Sequence, residues 1–173
     1  MKVILIAILL LLVACQALDY EGHSSLYGIP NGTVITLNQD LTIPPDQAGV
    51  YIQGNRIGDR YQYDATCRLE TNSVTSMPRT VKADEFVVYK VGRETQIFSG
   101  IVPGTRYASL VLMEGPHLLL YSTYIYLRSE QQPDVLRLVC GHLQDSALNP
   151  RHLTVEEIRT TLGEVMTMRL PQG

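Results

Sequence analysis

Tryptophan is absent and phenylalanine occurs only twice in 173 residues. The aromatic share therefore falls to ten tyrosines, side chains that join an apolar ring to a polar tip. Positive charge is also in short supply: 14 Lys and Arg against 17 Asp and Glu leave a formal charge of −3. A phosphate backbone requires a basic footprint that this chain lacks, so nucleic acid is not expected as a partner. Familiar catalytic signatures are missing as well: no G-x-S-x-G elbow, no H-E-x-x-H, no glycine-rich phosphate loop and no paired-cysteine zinc spacing. No cofactor and no metal site are expected. His23, His117, His142 and His152 lie in separate segments, and the loop bracketed by His142, Asp145 and His152 reads as an ordinary solvated loop. Asp84 and Glu85 are adjacent on an expected strand. They would point to opposite faces and could not confront each other across a substrate.

Long apolar runs are equally rare. The one at the start, Val3 to Ala14 behind Lys2, is about a dozen residues long. It fits an export signal, because roughly 18 or more are wanted to span a bilayer. Its rival at 117–128 is interrupted by polar residues and reads as a strand. The signal ends in Leu12-Val13-Ala14-Cys15, which resembles the lipobox of bacterial lipoproteins. That resemblance implies cleavage before Cys15, a diacylglyceryl group on its thiol and acylation of the new amino group. Two or three acyl chains, at roughly 0.8 kcal/mol per buried methylene, anchor a protein stably where one would not. Gln16, in place of an aspartate, would direct such a lipoprotein to the outer membrane with its domain facing the periplasm. The other reading is ordinary cleavage after Ala17, which would leave a soluble periplasmic or secreted protein. The expected organisation is a signal peptide at 1–14, a flexible tether at 15–32 rich in Gly, Ser and Pro, and one domain at 33–173.

Cysteine is sparse too, with three in the chain. Setting Cys15 aside leaves Cys67 and Cys140, which in an exported chain are expected to pair. Alternation in Thr66-Cys67-Arg68-Leu69 and Leu138-Val139-Cys140 puts each cysteine on the same face as a leucine, toward the core. The alternatives are two buried free thiols, or a nucleophile served by His142.

What remains is short alternating segments broken by Gly, Pro, Asn and Asp, the pattern of an antiparallel β domain. Strands are expected at 33–37, 40–43, 49–53, 56–57, 63–70, 80–82, 85–91, 105–113, 117–128 and 134–142. Gly54-Asn55 and Glu114-Gly115-Pro116 mark hairpin turns. One helix is expected over 152–163: Thr154 and Glu157 have capping-box spacing, Gly163 sits at the C-terminal cap, and Val155, Ile158 and Leu162 share a face. A final strand follows at 164–170. The fold class is therefore mainly β, an antiparallel barrel or sandwich of short strands with one C-terminal helix and a last strand. Tyr124 and Tyr126 share a strand face and are candidates for a ligand pocket or an interface, the bland alternative being tyrosines that cover the core's rim.

The segments Gln39 to Pro45, Val50 to Gln53, Thr66 to Glu70, Gln132 to Cys140 and His152 to Ile158 resemble a family of uncharacterised proteobacterial envelope lipoproteins. The resemblance implies an envelope location and, since the family has no assigned activity, no catalytic residues. The leading expectation is a noncatalytic lipid-anchored envelope protein that assists or scaffolds an envelope complex. Its partners would be the membrane, through the anchor, and another envelope protein. The alternatives are a β-barrel that binds an unknown small ligand, and an enzyme whose site assembles from scattered residues.

Overall fold

The computed structural model describes residues 26–58, 63–98 and 118–171. The signal segment, Cys15, the start of the tether, His23, the strand expected at 105–113, the Glu114-Gly115-Pro116 turn and His117 lie outside the described residues.

Period-two alternation produces ten strands among the described residues. They are β1 (Val34–Leu37), β2 (Leu41–Ile43), β3 (Gly49–Gln53), β4 (Arg56–Ile57), β5 (Thr66–Thr71), β6 (Arg79–Val81), β7 (Asp84–Phe98), β8 (Leu118–Arg128), β9 (Val135–Asp145) and β10 (Met166–Arg169). The helix α1 (Val155–Leu162) precedes β10. Eight strands form one antiparallel sheet in the order β10-β1-β7-β8-β9-β5-β3-β4, curled into a half-barrel, while β2 and β6 pair separately. Of the two expected architectures, the partly closed barrel is the one formed.

Two differences from the sequence reading follow from pairing. First, β7 runs seven residues past its expected end at Val91, through the polar stretch Gly92-Arg93-Glu94-Thr95-Gln96, because β8 supplies hydrogen bonds along that length. Second, residues 118–126 of β8 have β7 on one side and β9 on the other, so they do not form the expected hairpin with 105–113. Residues 26–32, read as tether, are attached to the domain instead. Ile29 is buried in the core, the Val155 amide donates to the Leu26 carbonyl at 2.8 Å, and the Gly32 amide donates to the Val88 carbonyl at 2.8 Å.

One face of the sheet carries the core. Ile35, Leu37, Ile52, Leu69, Phe86, Ile125 and Leu138 are almost fully excluded from solvent, as are Ile158 and Leu162 of α1, and each contributes roughly 1.5–3 kcal/mol by burial. The helix packs against β3, β5 and β10. Within this core, Cys67 and Cys140 stand directly opposite each other on β5 and β9. Their sulfurs lie 2.06 Å apart, at disulfide distance, as the pairing expectation required.

The start of α1 is tightly specified. Thr154 Oγ1 accepts from the Glu157 amide at 3.2 Å, and Glu157 Oε2 accepts from the Thr154 amide at 2.8 Å, which satisfies two otherwise orphaned donors. Arg151 then grips both Glu157 carboxylate oxygens at 2.7 Å. These hydrogen bonds from Arg151, helped by those from Thr154, hold the Glu157 carboxyl at about 2, below its ordinary 4.5. Because the folded-state value is the lower one, the stabilisation is complete above the ordinary value and is lost as pH falls toward the depressed one. Glu157→Gln should therefore lower the melting temperature at neutral pH, and the gap from wild type should close as pH falls from about 4.5 to about 2. Thermal melts followed by circular dichroism across that range check it; a gap independent of pH would assign the effect to lost packing.

Candidate functional site

The outer face of the sheet, opposite the core, is built by the residues that alternate with the buried ones. Register places them in two rows across five strands. In the first, Lys90, Tyr126, Arg137 and Glu70 are successive cross-strand neighbours; in the second, Gly92, Tyr124, Val139, Arg68 and Tyr51 are. Directly opposed residues share a face and touch. Glu70 is at the middle: its carboxylate accepts from Arg137 Nε at 2.8 Å on one oxygen and from Arg68 at 3.0 Å on the other. Its side chain is only 13% exposed, so both oxygens need those donors.

The two guanidiniums also cover tyrosine rings. Arg137 lies 4.8 Å from the centre of Tyr124 and 5.7 Å from that of Tyr126, while Arg68 lies 5.2 Å from that of Tyr51. Lys90 Nζ sits 5.2 Å from the Tyr126 ring, and Tyr89 approaches the same ring at 6.0 Å between centroids. The Tyr124 hydroxyl donates to Glu94 at 2.9 Å. Burial, reinforced by that carboxylate, pushes the Tyr124 phenol above its ordinary value; bonds from Gln96 and Tyr124 hold Glu94 below its own. The result is a continuous strip of alternating cation and ring, fixed from beneath by a paired carboxylate. These contacts restrain the arginines, Glu70 and the tyrosine rings before any partner arrives, which lowers the ordering cost of association.

Tyr124 and Tyr126, singled out from the sequence, are thus brought together on the outer face, away from the core side. Arg68, Glu70, Lys90, Glu94, Arg137 and Tyr51 were not foreseen. Their signal was available as polar residues alternating with Cys67, Leu69 and Leu138, but their union depends on register between distant segments. Cys67 and Cys140 are joined in the core, 73 residues apart in sequence. Cys15 lies outside the described residues.

Acid–base chemistry has little support in this geometry. Asp84 accepts from Ser129 at 2.6 Å and Gln132 at 3.1 Å, holding the β8–β9 turn, while Glu85 is exposed beside Arg169. His142 stands opposite Tyr121 in the β8–β9 ladder, and His152 meets that Tyr121 ring edge-on at 5.0 Å. Burial pushes both imidazoles below their ordinary value. Asp145 accepts from the Ala147 amide within its own turn. Among the described residues, no three His, Cys, Asp or Glu side chains gather as metal ligands.

No family model, no curated protein and no solved structure matches this chain. The functional reading therefore rests on the strip itself.

Proposed function

We propose that the protein is a noncatalytic, lipid-anchored envelope protein that assists or scaffolds an envelope complex, and that the strip centred on Tyr124, Tyr126 and Arg137 is where it meets its partner. The anchor on Cys15 and the outer-membrane placement belong to the same proposal and rest on the signal and lipobox pattern, and the kinship with envelope lipoproteins rests on the resemblance of the five segments between Gln39 and Ile158. The observation that carries the interface is the combination of half-buried tyrosine rings and arginine guanidiniums lying over them on the outer sheet face. Those residue types dominate binding hot spots, because they bury large areas at low entropic cost.

A photo-crosslinking residue in place of Tyr126, in the full-length protein in cells, should repeatedly trap one envelope protein. Arg137→Ala should weaken that association by about tenfold or more, the usual scale for a central arginine anchor. Recovery of no partner, with the variant folded and in the envelope, would sink the interface. The anchor has its own check: Cys15→Ser should move the protein from the membrane fraction to the soluble fraction, and intact-mass measurement should show the acyl mass disappear. A mature N-terminus at Leu18 without lipid would remove it.

A further inference from the structure

The strip ends on β7, where one edge has no partner strand among the described residues beyond Val88. β1 pairs with β7 over Asp84–Val87, and the bonds from Gly32 to Val88 and from Val88 to Thr33 close that ladder. Beyond the bulge at Tyr89, β7 continues to Phe98 paired only with β8 among the described residues. Residues on this part of β7 border a groove of about 930 Å³ lined by Gly28 to Asn31, Tyr89 to Arg93 and Leu170.

Two properties define what fits. An unpaired strand edge presents its amides and carbonyls at the spacing of another extended chain. Among the described residues, the charged residues that line the groove are Lys90 and Arg93, in a protein whose net charge is negative. Neither has a carboxylate partner among the described residues: Lys90 lies against the Tyr126 ring, and Arg93 donates to the Tyr27 carbonyl at 2.5 Å. Glu94, just past the lining, is engaged with Tyr124 and Gln96. Farther along, Ile97 is 70% exposed, an apolar side chain available to a neighbouring strand.

We propose that this groove accepts an extended acidic segment of a partner protein, which adds as a strand to the free edge of β7. The proposal rests on the partner reading given above and names the chemistry of the segment: acidic side chains for Lys90 and Arg93, with apolar residues between them.

The full mature protein, held in detergent, would be used to select from a display library of random dodecapeptides. Enrichment of sequences with two or more Asp or Glu among apolar residues is expected. Amide exchange across 89–97 should slow when a selected peptide binds. Lys90→Glu should reduce affinity about tenfold, as loss of a well-placed charge does, while Arg56→Glu, outside the groove, should leave it unchanged. Lys90 is the primary variant because Arg93 also secures the Tyr27 backbone. Four results would overturn the proposal: no enrichment, neutral or basic selected peptides, binding indifferent to Lys90→Glu, or protection away from β7. So would β7 already protected in the free protein, either through a sedimenting dimer or through residues 16–25 of its own chain. If the Tyr126 crosslink persists while selection fails, the interface stands and strand addition falls.

Discussion

Reduction of the Cys67–Cys140 bond is expected to cost about 4 kcal/mol of stability, the largest effect of any single chemical change to this domain. The link joins residues 73 apart in sequence and encloses β6, β7 and β8. Cut, it would free an unfolded loop of that length from a constraint whose entropic value grows with the logarithm of loop size. In the folded protein little need change, since both sulfurs are buried against Leu69, Leu138 and their neighbours and a thiol packs much as a small apolar group does. Urea unfolding with and without reductant measures the effect directly. A loss below about 1 kcal/mol would mean that the reduced unfolded chain keeps these strands close together by itself.

The second large effect comes from a residue that looks innocuous. A Cβ at Gly141 would lie 2.3 Å from the Tyr121 carbonyl oxygen and 3.2 Å from its carbon. Those are backbone atoms of the neighbouring strand, and no rotamer relieves the contact. Gly141→Ala must spread β8 from β9 beside the disulfide, so a cost of about 3 kcal/mol is expected, the upper range for overpacking. Strand propensity alone predicts the opposite sign, because alanine limits the unfolded chain more than glycine does. Gly92→Ala supplies the control. On β7 an added Cβ meets nothing within 4 Å, so that substitution should be neutral or stabilising by up to about 1 kcal/mol. Denaturant midpoints for the two variants separate the local clash from any general intolerance of the sheet.

Much of the architecture could be read from local pattern, and the places where it could not share a cause. β3, β4 and α1 follow from signals within a few residues: alternation in Gly49–Gln53, the Gly54 turn with its positive φ of 60°, and the Thr154–Glu157 cap. The distal half of β7 has no apolar alternation to announce it, since its order derives from β8. Likewise Arg68, Glu70 and Arg137 are visible in the sequence as polar positions on strands. Only the β5–β9 register, in which Cys67 faces Cys140 and Glu70 faces Arg137, turns them into one ion cluster with Tyr124 and Tyr126. Tyrosine on an alternating strand has the same local signature whether its face looks into a cavity or out to solvent, so the choice between pocket and outer surface needed the curl of the sheet. The attachment of 26–32 was hidden for a related reason: one buried isoleucine and backbone hydrogen bonds leave almost no trace in composition.

That early attachment bears on how the domain would ride on a membrane. If Cys15 carries acyl chains as proposed, eleven peptide steps separate it from Leu26, a span of at most about 40 Å. Leu26 is bonded to Val155 at the head of α1, so on that proposal this pole of the domain, and not a remote one, would be held within about 40 Å of the bilayer surface.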